Sequence, residues 1–267
     1  MLLIAAAISG RVWLEQRRVV PILMFHKVEK TNTPQAEIVS PQRFDWQMGY
    51  LKKNHYNVIS LDTLVDAIRD GKKLPPKPVV ITFDDGYADN YVYALPVLKK
   101  YGFPATVFIV PGLVDQNLIK EKDYLDPEKF KVLIDEDYLN WAQIREMMKG
   151  GFTIGCHGLT SAYLPDLSIK NQVLEIEKGK WALENTLKVK IDLYAYPVGG
   201  FDENTKAIVK QAGFKAAVTT NRGKDRFNKN LYELDRIRIS DADNSEQILW
   251  VKLMGFYHLF RQMENPH

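Results

Sequence analysis

The strongest constraint on this chain is an alternation. Short apolar runs recur between stretches patterned as amphipathic helices. Pro21 to Phe25, Val79 to Phe83, Ala105 to Val110, Phe152 to Cys156, Leu193 to Tyr196, Ala216 to Thr219 and Arg236 to Ile239 read as strands. Apolar runs of this length suit strands covered on both faces; Arg236 to Ile239 has alternating character instead. Ser40-Pro41 opens a helix, with serine as N-cap, proline at the first helical position, and Phe44, Met48 and Leu51 as its stripe. Leu61, Leu64, Val65 and Ile68 mark the next, closed by Gly71. Further helices are expected from about Asp89 to Tyr101, after Asn140 with Gln143 placed as in a capping box, along Ile169 to Leu187, and from about Glu203 to Ala212. The charged stretch Pro111 to Leu139 reads as an irregular insertion. Such alternation implies a parallel sheet with helices outside. The expected fold class is α/β, a distorted or incomplete (β/α) barrel of about seven parallel strands.

One strand ends unusually. Val79-Val80-Ile81-Thr82-Phe83 runs into Asp84-Asp85-Gly86-Tyr87. Two adjacent carboxylates at the end of a buried strand repel each other and persist most naturally beside a cation or a shared proton. Successive side chains of an extended segment point in different directions, so Asp84 and Asp85 can do different work. A plain strand–turn–helix junction with aspartate as N-cap needs only one of them. His26, His157 and Pro197 also follow strand ends. In (β/α) barrels that is the face where active sites sit.

The 267 residues are enough for one large domain, and the formal charge of +3, with lysines and acids interleaved, gives no argument for nucleic acid. The lone Cys156 excludes an internal disulfide and reads as a buried structural thiol. Residues 1–20 stand apart from a domain over 21–267: Met1 to Ile8 is apolar and Arg11, Arg17 and Arg18 follow it. The apolar stretch is shorter than the roughly 20 residues a spanning helix needs. It reads equally as an anchor remnant, able to associate with a membrane, or as a plain N-terminal helix.

The Asp84-Asp85 segment resembles the first motif of the polysaccharide deacetylase family, carbohydrate esterase family 4, and the likeness runs from about Pro21 to Asp241. The resemblance implies the same barrel fold, with Asp84 as catalytic base and Asp85 as a ligand of a divalent metal, zinc by expectation. Ile154 to Ser161 is similar to the second motif, so His157 takes the first ligand histidine and Thr160 the motif threonine. The second ligand histidine falls on Ser161, and a neutral hydroxyl is a poor zinc ligand. Tyr194 to Gly200 takes the place of the third motif; the arginine that orients the base in the family falls near Ala195, and the oxyanion-binding backbone N–H falls on Val198. This Ala-Tyr-Pro-x-Gly form resembles the branch acting on exopolysaccharide or cell-wall glycans. The family's late histidine, a general acid, has no match in Arg236 to Ser240, and His26 is the replacement candidate by position. Hydrogen-bonded structural histidines explain His26 and His157 as well.

The implied activity is metal-assisted hydrolysis of N-acetyl groups from N-acetylglucosamine-containing polysaccharide, at the cell envelope or outside the cell. Tyr87, Tyr196 and Pro197 are the expected sugar contacts because they adjoin the motifs. The alternative is a degenerate deacetylase that has lost its metal site and binds glycan; a hydrolase of another amide or ester is a third reading.

Overall fold

The computed structural model describes residues 19–30, 36–120, 124–221, 225, 228–255 and 257. Most of the N-terminal segment 1–20, and with it the anchor expectation, lies outside them. Among the described residues no helix is long and apolar enough to cross a membrane.

The strands are β1 (Ile22–Phe25), β2 (Lys27–Val28), β3 (Ile38–Val39), β4 (Asn57–Val58), β5 (Pro78–Phe83), β6 (Ala105–Ile109), β7 (Phe152–Cys156), β8 (Leu193–Ala195), β9 (Ala216–Thr219), β10 (Leu234–Asp235) and β11 (Ile237–Arg238). The main sheet has nine strands in the order β10-β9-β8-β7-β6-β5-β1-β11, with β4 added beside β5. Every pairing in it is parallel. The expected last strand, Arg236 to Ile239, is instead divided. β10 pairs with β9 and β11 pairs with β1, so the chain crosses from one end of the sheet to the other at Arg236. The sheet thereby nearly closes into the expected distorted barrel, and Arg236 stands at its seam.

The helices are α1 (Pro41–Lys53), α2 (Leu61–Asp70), α3 (Leu95–Tyr101, continuing a π-helical turn Asn90–Ala94), α4 (Pro111–Val114), α5 (Pro127–Ile134), α6 (Trp141–Lys149), α7 (Ile169–Val173), α8 (Gly179–Leu187), α9 (Glu203–Gln211) and α10 (Glu246–Leu253). The expected local signals operate. Ser40 caps α1 by accepting from the Arg43 N–H, Gly71 ends α2 at φ 66°, and Asn140 with Gln143 forms a complete capping box on α6. Where the composition of 111–139 suggests an irregular stretch, its described residues include the helices α4 and α5.

Strand parity divides the interior. Leu23, Phe25, Ile81, Phe83, Val107, Ile154, Tyr194 and Ala217 pack into the large cluster beneath the helices. Ile22, Val80, Phe108, Leu193, Ala195 and Val218 gather in a second cluster with Leu61, Leu64 and Val65 of α2. Gly155 leaves room in this second layer, because a Cβ there would lie 2.3 Å from the Phe108 ring. Side chains alternate along a strand. Continuing the parity of Ile22, Val80 and Gly155 past the strand ends therefore brings His26, Asp84 and His157 to one place.

Candidate active site

That place is a cavity of about 600 Å³, whose lining includes His26, Asp84, Asp85, His157, Ser161 and Arg236. Asp84 is buried at 2% exposure. Arg236 grips it bidentately: Nη1 donates to Oδ1 and Nη2 to Oδ2, both at 2.6 Å. The same Nη1 lies 3.3 Å from Thr82 Oγ1, and the guanidinium carbon is 5.5 Å from the Phe108 ring centroid. Burial alone pushes the Asp84 carboxyl up, but Arg236, with His157 and His26, outweighs it and holds the group down at about 2. Asp84 is therefore an ionised, oriented carboxylate.

Asp85 differs from its neighbour. Its backbone is left-handed, at φ 69°, and Gly86 continues at φ 77°. Aspartate is among the few non-glycine residues that adopt this conformation readily. The turn points the side chain toward His157, whose Nε2 is 3.6 Å from Asp85 Oδ1. Burial raises the Asp85 carboxyl, against the pull of His157 and His26. His157 is oriented by a 2.9 Å hydrogen bond between Nδ1 and the Ala195 carbonyl. A carbonyl can only accept, so Nδ1 carries a proton, and Nε2 is the ring nitrogen that faces Asp85. A backbone carbonyl behind the ring is the usual support of a metal-binding histidine.

Ser161 lines the same cavity at φ 63°. Among the described residues, no group of three or more His, Cys, Asp or Glu side chains is placed to hold a metal. Asp166, another carboxylate near the second motif, lines the cavity without completing such a group. The donor set is thus an oriented carboxylate–imidazole pair with a hydroxyl nearby. A carboxylate and an imidazole are donors that suit a divalent ion, and Asp85 and His157 are the residues that would hold it.

His26 lines the cavity, and its buried Nδ1 has no hydrogen-bond partner. Val198 also lines it, at φ 55° and 73% exposed, in the short helical turn Pro197–Gly199. Tyr87 borders the cavity, but its ring is stacked on Tyr138 with centroids 5.3 Å apart, and Lys27 Nζ lies 4.8 Å from its centre.

Two expected sugar contacts are corrected. Tyr196 is 0% exposed; its ring stacks on Phe201 at 5.1 Å and its hydroxyl donates to the Tyr232 carbonyl. Pro197 is buried as well, and neither residue lines the cavity. Their adjacency to the motif is real, but parity turns the Tyr196 ring toward the helices. The exposed aromatic of the cavity is Tyr163, 40% exposed and lying over Gly200, where a Cβ would come within 2.1 Å of its ring. The family's arginine position falls near Ala195 in this chain, and the arginine paired with Asp84 is Arg236.

Comparison with known proteins agrees with this geometry. The family model described as polysaccharide deacetylase matches residues 71–217. The Bacillus subtilis putative polysaccharide deacetylase YxkH is 31% identical over 232 residues, covering 87% of this chain and 75% of its own. The Staphylococcus aureus poly-beta-1,6-N-acetyl-D-glucosamine N-deacetylase is 28% identical, covering 92% of this chain and 83% of its own. Among solved structures, Streptococcus pyogenes deacetylase PplD in complex with acetate superposes with a TM-score of 0.73 at 28% identity, covering 88% of this chain and 97% of that one. IcaB from Ammonifex degensii, at 22% identity and TM-score 0.73, shares the fold over 89% of this chain and 98% of its own. With the family model matching more than half of the chain and the two motif aspartates meeting His157 in one cavity, the chain belongs to the polysaccharide deacetylase family.

Proposed function

We propose that this chain removes N-acetyl groups from an N-acetylglucosamine-containing polysaccharide by metal-assisted hydrolysis. The observation that carries this reading is the Asp84–Arg236 pair and the Asp85–His157 pair lining one cavity. Asp84 has the charge and fixed orientation of a general base. Its low proton affinity limits its strength, so it works on a water that is already acidified. A divalent cation held by Asp85 and His157 would supply that acidification and act as a Lewis acid toward the amide carbonyl. The Val198 N–H is the proposed oxyanion donor. His26 is the proposed proton donor to the leaving amine. Tyr163 and Tyr87 are the aromatic groups proposed to contact the sugar. The family likeness and the Staphylococcus aureus relative support the substrate class.

The weak point of the metal site is Ser161, and it gives a test. Histidine tolerates a left-handed backbone better than most residues. Ser161→His therefore adds a third protein donor without disturbing the loop. It is expected to tighten zinc binding by at least tenfold, on the scale of about 1.4 kcal/mol per decade, and to raise acetate release at limiting zinc. Zinc titration with parallel acetate assays checks this. No change in either means that position 161 does not face the metal.

The glycan-binding alternative keeps the cavity without turnover. Acetate release from N-acetylglucosamine oligomers, first in chelator and then with added zinc, separates the two readings.

A further inference from the structure

The loop that carries His157 and Ser161 is held from behind by a residue outside all the motifs. Glu175 lies in a π-helical turn, Leu174–Lys178, between α7 and α8, and is fully buried. Its Oε2 accepts the backbone N–H groups of Leu159 and Thr160, both at 2.9 Å. Its Oε1 accepts the Thr160 hydroxyl at 2.6 Å and the Tyr124 hydroxyl at 2.8 Å. Four donors thus converge on one carboxylate, close to the full capacity of its two oxygens.

The surroundings are built for this contact. Gly158 has φ +78°, and a Cβ there would sit 2.9 Å from Glu175 Oε2. A Cβ on Gly179 would meet the Gly158 carbonyl carbon at 2.9 Å and the Cys156 sulfur at 3.0 Å. The loop and the helix turn therefore pack backbone to backbone. The π-turn places Glu175 within this contact, and such turns are frequent at functional sites.

Two features exceed what packing alone needs. An apolar residue would fill the space, but it would leave the Leu159 and Thr160 N–H groups unpaired in the interior. The bond to Tyr124 also spans 51 residues and reaches the segment before α5, where Tyr124 lines the cavity. Glu175 itself does not line the cavity.

We propose that Glu175 is the positioning residue of this site. It fixes the 157–161 loop so that His157 and Ser161 are presented to the cavity, and through Tyr124 it ties the cavity wall to that loop. The catalytic readout of this role rests on the deacetylase reading; the structural readout does not.

The test compares wild type, Glu175→Gln, Glu175→Ala and Tyr124→Phe by backbone amide exchange, by zinc titration of the protein alone, and by kcat and KM on N-acetylglucosamine oligomers. In Glu175→Gln the amide oxygen takes the two backbone N–H groups, and the amide nitrogen donates to the two hydroxyls, which turn round as acceptors. This variant is expected to keep slow exchange at Leu159 and Thr160 and near-native kcat. Glu175→Ala is expected to exchange rapidly at both amides, to lose zinc affinity by roughly 10–100-fold, and to lose kcat. Tyr124→Phe removes the hydroxyl that ties the wall to Glu175 and is expected to raise KM with zinc affinity unchanged. A folded Glu175→Ala with a lower Tm but native exchange at both amides and native zinc affinity would overturn the proposal. If Glu175→Ala does not fold, Thr160→Val removes one of the four bonds: faster exchange at Leu159 supports the role, and native exchange overturns it. If wild type neither binds zinc nor releases acetate, the deacetylase reading fails. Amide exchange then still decides the role of Glu175, by the same two outcomes.

Discussion

Replacing Arg236 with methionine is expected to destabilise the folded chain by about 3–5 kcal/mol, the usual cost of breaking a buried ion pair by removing one partner. The corresponding fall in Tm is on the order of 10 °C for a chain of this size. Arg236 is 1% exposed and both of its terminal nitrogens are committed to Asp84. Its loss strands the buried Asp84 carboxylate at the end of β5. The double variant Asp84→Asn with Arg236→Met has no stranded charge, and should recover more than half of that loss. Additive losses in a thermal-denaturation cycle would show that the pair is not coupled. The sign of the pH dependence follows from Asp84, whose folded carboxyl is held at about 2, below its ordinary value. The stabilisation is complete above about pH 4, the unfolded aspartate range, and is lost as the pH falls toward 2. Wild type and Arg236→Met should therefore converge in stability in acid.

Asp84→Asn is the second large effect. An amide cannot take a proton from water, so acetate release is expected to fall by about 10²–10⁴-fold, the usual contribution of general base catalysis. The carbonyl oxygen of the substituted side chain still accepts one bond from Arg236, so the protein stays folded, though less stable because the guanidinium has lost its counter-charge. KM should change little, because the role proposed for Asp84 is on water rather than on the sugar. Steady-state kinetics on folded protein check this. A variant that retains more than about a tenth of wild-type kcat, far above the loss expected of a missing base, would remove Asp84 from that role.

Much of this site is legible because it is local. Asp84, Asp85 and His157 each sit at the end of an apolar strand, and strand ends converge in a parallel barrel. Period-two alternation accounts for the convergence of Asp84 and His157, while Asp85 is turned in by its left-handed backbone, and the same rule exposes the error at Tyr196: it lies two residues beyond Tyr194, on the helix-facing parity. Sequence adjacency to the motif suggests a sugar contact where alternation forbids one.

Arg236 is harder to read. It is 152 residues from Asp84, beyond the span the family model matches, and its partner is set only when the sheet closes. The available signal is an alternating strand, Arg236-Ile237-Arg238-Ile239, whose arginines need an anion on one face. Glu175 is hidden for another reason. It sits among the polar positions of a helical stripe that already includes Val173 and Ile176, and only the π-turn and the approach of Gly158 show that it faces inward. The helical content of 111–139 is masked by charge: α5 carries Lys and Glu around a small apolar face, and it walls the cavity through Val132 and Leu133.

The most direct test of the account is acetate release from N-acetylglucosamine oligomers by wild type and Asp84→Asn, each in chelator and then with zinc restored. The account predicts release by wild type only, abolished by chelator and recovered with zinc, with Asp84→Asn inactive throughout. No release by folded wild type under any of these conditions would contradict it and leave a glycan-binding barrel. Release that persists in chelator would show that the Asp85–His157 pair does not work through a metal.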